Sequence, residues 1–190
     1  MAITVTKGLV DLHQLFNSVD EIYFKKSELT TTALASALTF DLELPVLSEG
    51  VTFDTGQPDV TQINLTTGTM WTTRAVRGET DISFQVATMS ADVNDLFLTK
   101  IKNIAATDKL IDSVSLAGGA YSLAPKKVVG SLTMFSEDKS SVIVLPNIEV
   151  YANLVLADGE NPAYFNISVT PRENSEAADI FILTEEAAGE

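Results

Sequence analysis

Thr80-Asp81-Ile82-Ser83-Phe84-Gln85-Val86 places Ile82, Phe84 and Val86 on one side and Asp81, Ser83 and Gln85 on the other. Side chains alternate across a strand, so a period of two with one polar face marks a half-buried antiparallel strand. The same reading extends outward. Ile148–Leu156 aligns Ile148, Val150, Ala152, Leu154 and Leu156 on one face, and Tyr164–Thr170 aligns Phe165, Ile167 and Val169. Ala37–Leu44 alternates Leu38, Phe40, Leu42 and Leu44 with Thr39, Asp41 and Glu43. Shorter strands are expected at Glu21–Lys25, Ile63–Thr67, Trp71–Val76, Val128–Phe135, Val142–Leu145 and Ile180–Thr184. The fold class is therefore mainly β, an antiparallel β-sandwich or barrel.

The junctions carry turn chemistry. Ala157-Asp-Gly-Glu-Asn-Pro162 reads as a hairpin loop, and Ser136-Glu-Asp-Lys139 as the turn before it. Pro146 interrupts an apolar run and predicts a bulge or an edge position. One segment leaves the pattern. Ser90 is a capping residue, Asp92 sits in a first turn, and Val93, Leu96, Phe97, Ile101 and Ile104 follow helical spacing. This predicts one amphipathic helix over Ala91–Ala105. Asp11–Asn17 fits a short helical turn, and Thr30–Leu38 fits helix and strand equally.

At 190 residues the chain is about one domain at roughly 150 residues per domain. A single domain over 1–190 is expected, with a flexible N-terminal segment and an acidic C-terminal tail. From Asp158 onward there are eight acidic residues and one base, Arg172. Over the whole chain 12 Lys and Arg stand against 26 Asp and Glu, a net charge of −14. Binding through phosphate contacts needs clustered cations, so this balance argues against a nucleic-acid binder and against docking on an anionic membrane. No stretch approaches the roughly 18 apolar residues of a membrane span. The start, MAITVTKGLVDLHQLF, lacks a basic n-region and a long apolar h-region, so no secretory signal is expected.

The absence of cysteine removes disulfides, thiolate catalysis and Cys-ligated metals. His13 is the one histidine and reads as a filler residue, not a ligand. Asp41/Glu43, Asp92/Asp95 and Glu137/Asp138 are carboxylate pairs, but spacing alone does not make a hydrolase cleft, and exposed strand carboxylates are ordinary. Asp54-Thr-Gly56 lacks the second copy an aspartic dyad needs and reads as a turn. Asp92-Val-Asn-Asp95 lacks the later Gly and the Glu of a calcium loop. Ala117-Gly-Gly-Ala120 has no Lys-Ser/Thr after it and cradles no phosphate. No catalytic residue, metal or cofactor is expected.

Two features point to assembly. Gly68-Thr-Met-Trp-Thr-Thr-Arg-Ala-Val-Arg77 sets Met70 and Trp71 near Arg74 and Arg77, residue types enriched in protein interfaces. It reads equally as a core tryptophan on a strand with exposed arginines. Val51–Thr67 is long, polar and strand-prone, and suits an extended hairpin that one small core does not cover.

The order of elements over Phe40–Val169 resembles a phage tail tube protein. The pattern is a strand at Thr39–Leu44, a long polar loop or hairpin at Val51–Thr67, a Gly78-Glu79 turn leading into Thr80–Val86, a helix, and a closing set of antiparallel strands. The resemblance implies hexameric rings that stack into a hollow tube in the virion tail, made in the bacterial host cytoplasm. Neighbouring subunits line the lumen with strands, and the long loop bridges to the next ring. The partners implied are further copies of the chain and other tail proteins, while DNA passes without specific binding. On this view Phe53, Asp54, Met70, Trp71, Arg74 and Arg77 are candidates for contact between subunits or rings. Asp41 and Glu43 are candidates for lumen-facing carboxylates, since an acidic lumen repels phosphate. The alternative is another non-enzymatic β-sandwich module, a capsid decoration or glycan-binding protein.

Overall fold

The computed structural model describes residues 15–36, 38–47, 50–105, 109–111, 114–115, 117–156 and 162–185. Most of the expected turn at Asp11–Asn17, His13, all but Pro162 of the loop at 157–162 and the end of the acidic tail lie outside them. The strands in chain order are β1 (Val19–Lys25), β2 (Leu42–Leu44), β3 (Thr52–Asp54), β4 (Asp59–Asn64), β5 (Met70–Val76) and β6 (Asp81–Val86). They continue as β7 (Thr99–Ile104), β8 (Lys109–Ile111), β9 (Val114–Ser115), β10 (Gly118–Ser122), β11 (Val128–Ser136), β12 (Ser141–Val155), β13 (Tyr164–Pro171) and β14 (Phe181–Thr184). Among the described residues two helices interrupt them, α1 (Thr31–Leu34) and α2 (Ala91–Phe97).

One antiparallel sheet forms the body, in the order β2-β1-β11-β12-β13-β6-β3, with β14 also paired to β12. Its ends meet. Just after β2, Val46 bridges to Val86 at the end of β6. The Leu47 N–H donates to the Gln85 carbonyl at 2.9 Å and the Ala87 N–H to the Pro45 carbonyl at 3.0 Å. The sheet thus curls into a barrel, and the alternation seen in β6, β12 and β13 sends its apolar faces inward. Ile82, Phe84, Val86, Ile148, Val150, Phe165, Ile167 and Val169 are all buried. Burying each such side chain stabilises the fold by roughly 1.5–3 kcal/mol relative to leaving it in water.

The Pro146 expectation resolves as a bulge. Gly130 pairs with Ile148 and Leu132 with Leu145, so Pro146 and Asn147 stand opposite the single Ser131. Proline has no N–H for the ladder, and its carbonyl accepts instead from the Leu29 N–H at 2.8 Å. The bulge divides β12 into two jobs: Ser141–Val144 pairs with β14, and Ile148–Val155 pairs with β13. Two expected strands are therefore one.

The expected helix over Ala91–Ala105 is corrected. Ser90 caps it through its hydroxyl, which accepts from the Val93 N–H, and Asp92 occupies the first turn. Val93, Leu96 and Phe97 are buried, and the Phe97 ring lies 5.6 Å from Phe165, closing one end of the barrel. The helix stops there. Leu98 is extended (φ −112°, ψ 155°), and Thr99–Ile104 pairs with β10 as a strand. Ile101 is 71% exposed and Ile104 also faces solvent, so neither continues the buried stripe. The cation at the helix end is Lys126 from the chain before β11, whose ammonium donates to the carbonyls of Asp95 and Leu98.

The strand expected at Ala37–Leu44 is also shorter. Only Leu42–Leu44 joins the sheet, because Phe40 turns aside to stack on Tyr23 with ring centroids 4.9 Å apart. Within Thr30–Leu38, Thr31–Leu34 is helical, capped by the Thr30 hydroxyl.

Candidate assembly surface

Among the described residues β4 and β5 pair only with each other, from Asp59 opposite Val76 to Asn64 opposite Met70. The turn between them is tight: the Leu65 N–H donates to the Thr69 carbonyl and the Gly68 N–H, at φ +81°, to that of Leu65. Every residue from Gln57 to Arg77 is exposed. This is an arm that leaves the barrel between β3 and β6. The reason is legible in its composition: Thr, Gln and Asn on both faces give strand propensity without a face the core can take.

The arm is nevertheless not polar throughout. Val60, Ile63, Leu65, Met70, Trp71 and Val76 are all exposed, and Trp71 is 70% exposed. Register sets Val60 opposite Ala75 on one face and Ile63 opposite Thr72 on the other. Between Ile63 and Asn64 the register shifts, and Trp71 is the extra residue. Both faces therefore carry apolar side chains. Scattered exposed apolar residues are normal, but six on one short ribbon, spread over both its faces, are apolar surface that its own barrel does not cover.

The root of the arm is fixed by polar contacts. The Asp54 carboxylate accepts the Gly56 N–H at 2.8 Å, closing an Asx turn. Arg77 donates to the Asp179 carboxylate at 2.6 Å, tying the returning strand to the segment after β13. Phe53 does not project with the arm. It pairs with Ile82 and packs half-buried against the core. Of the six residues proposed for contact between copies, then, Met70, Trp71 and Arg74 stand on the free arm, Asp54 and Arg77 build its root, and Phe53 belongs to the body. The even choice for Trp71 between core and interface resolves toward the exposed position.

Asp41 and Glu43 lie elsewhere, beside β1. The Asp41 carboxylate accepts the Lys26 N–H at 2.7 Å, which gives it a structural task. Glu43 is exposed opposite Tyr23. The remaining carboxylate pairs also have local partners. Asp95 accepts from Tyr121 at 2.7 Å and Lys100 at 2.9 Å, and the Tyr121 hydroxyl, followed by Lys100, holds its pKa below the usual range. Asp138 accepts from the hydroxyls of Ser136 and Ser140, which lower its pKa likewise.

A second feature was not anticipated from the sequence. A groove of about 430 Å³ opens beside β3, lined by Phe16, Val19, Val51, Phe53, Met134 and Ile143, with Asn17 and Ser18 at its rim. Its walls come from four separate segments, so no local pattern announces it. Comparison of the chain with models of known families, with curated proteins and with solved structures returns no match.

Proposed function

We propose that this protein is a structural subunit of a phage tail tube, which assembles with further copies of itself into stacked rings, six to a ring, around a channel for DNA. The observation that carries the reading is the arm: a tryptophan, a methionine and unpaired strand edges held in solvent on a ribbon rooted at both ends in a closed barrel. Such a ribbon gains little by itself, since an isolated two-stranded hairpin is marginal in water. Covered by another copy, it buries its apolar side chains and protects its edges. The net charge of −14 supports a channel that DNA slides through without sticking. In this reading Glu43, free at the surface, serves the channel, while Asp41 mainly holds the chain after β1. The subunit is not an enzyme, binds no cofactor, and works in the virion tail beside other tail proteins.

Negative-stain microscopy of concentrated protein, with light scattering on the same sample, tests this. Hollow tubes or six-fold rings are expected. Particles of monomer size at every concentration, together with a glycan bound at Trp71, would overturn it in favour of a glycan-binding module.

A further inference from the structure

We infer that the groove beside β3 on one copy is the seat for the arm of a second copy. This rests on the assembly reading above and adds the surface that receives the arm. The two features are complementary. The arm offers Met70 and Trp71, large apolar side chains with nothing of their own body to cover them. The groove offers an apolar floor of Val51, Phe53, Met134 and Ile143, open to solvent and with room for side chains of that size.

Charge matches as well as shape. Val60–Gly78 contains no acidic residue, in a chain that has 26, and carries Arg74 and Arg77. Arg77 is taken by Asp179, whereas Arg74 has no ion-pair partner among the described residues. One carboxylate stands beside the groove: Glu137 lies against Ser18, accepting its hydroxyl at 3.3 Å while its own N–H donates to the Ser18 carbonyl. Glu137 likewise has no cationic partner among the described residues. Two copies at −14 each repel at a distance, and the acid-free arm is the part that approaches an acidic neighbour without that cost. Arm and groove are different surfaces, so each copy gives one contact and takes one. That is the heterologous kind of interface from which rings and stacks are built.

The chain's composition makes the test clean, with one tryptophan and no cysteine. A receiver variant carries Trp71→Phe and Asn17→Cys, with a nitroxide attached at the new thiol. It is mixed with the unmodified chain, so that all tryptophan emission comes from arms and all nitroxide sits on groove rims of other copies. On assembly the emission shifts to the blue, and the labelled receivers quench most of it, whereas unlabelled receivers do not. Arg74→Glu or Glu137→Arg alone abolishes the quenching, and a chain carrying both restores it. Rings or tubes with unquenched Trp71 emission would overturn the docking and leave the assembly reading standing. A blue shift without quenching would place the arm on another surface and also overturn it. Emission that stays that of exposed tryptophan, with no assembly at high concentration, would overturn both.

Discussion

Gly56 and Gly78 face each other's strands at the root of the arm, so closely that a Cβ on either would overlap a backbone carbonyl. On Gly56 the obstacle is the oxygen of Glu79, and on Gly78 it is that of Gln57. Gly56 also sits at φ +77°, a left-handed conformation costing other residues roughly 1–2 kcal/mol. Gly56→Ala and Gly78→Ala should splay the root and re-aim the arm while the barrel keeps its cooperative unfolding. Amide exchange over β4 and β5 should rise, and tubes should be absent by microscopy. Tubes of native appearance from either variant would show that the arm's direction does not matter.

Trp71→Ala removes the most exposed aromatic on the arm. Its effect on monomer stability should stay within about 0.5 kcal/mol, as for an ordinary surface change. Denaturant unfolding checks this, and light scattering should show assembly lost. A large loss of stability would mean that Trp71 packs on its own barrel.

Phe97 and Ile101 separate the helix from the strand that follows it. Phe97→Ala opens the plugged end of the barrel against Phe165 and should cost about 3–5 kcal/mol. Ile101→Ala, at an exposed position on β7, should change stability by no more than about 0.5 kcal/mol. Equal losses at the two sites would restore a helix running through Ile101.

Acid should weaken the fold in a definite window. Lys127, then Arg172, hold the Glu149 carboxyl below its ordinary pKa, and Lys139 with Tyr23 do the same for Glu21. Asp95 and Asp138 are shifted the same way. A carboxyl whose pKa is lower folded than unfolded contributes stability that is complete above the unfolded value. That contribution is lost as pH falls through the folded value. The melting temperature should therefore hold steady down to about pH 5 and fall progressively through pH 4 and below. Glu149→Gln should melt lower at neutral pH and show a shallower acid decline. A decline as steep as the native one would assign the acid sensitivity to other groups.

Asn174 is a buried polar hinge after β13. Its amide donates to the Leu29 carbonyl at 2.8 Å, and its side-chain oxygen accepts from the N–H groups of Glu176 and Ala178. Asn174→Ala leaves these without partners and should cost about 1–3 kcal/mol. Within the same turn Ala177 sits at φ +58°, so Ala177→Gly should instead raise stability by several tenths of a kcal/mol to about 1 kcal/mol. Both are read from the midpoint of chemical unfolding.

The barrel was legible wherever one face of a strand meets the core. Ile82, Phe84 and Val86 declared themselves by alternation, as did Phe165, Ile167 and Val169. The error at Ala91–Ala105 has a physical origin. Ile101 and Ile104 match the helical phase of Val93 and Phe97, but pairing with Gly118–Ser122 outweighs that spacing, and both isoleucines end in solvent. The β-branched and alternating character of Thr99-Lys-Ile-Lys102 was the available warning. Trp71 could not be placed from sequence, because an exposed tryptophan and a buried one look alike in a string of letters. The groove was invisible for a related reason: Phe16, Phe53, Met134 and Ile143 become neighbours only through the order of strands around the barrel.

The junction of Val46 with Val86 has a consequence for how the protein lives before it is used. By joining the two ends of the main sheet, it leaves that sheet short ladder edges there, such as the three residues of β3 and the four of β14. The main sheet thus offers a second chain little backbone to pair with at random. In the proposed tube, growth then falls to the exposed β4–β5 arm, and its timing to whatever first engages it.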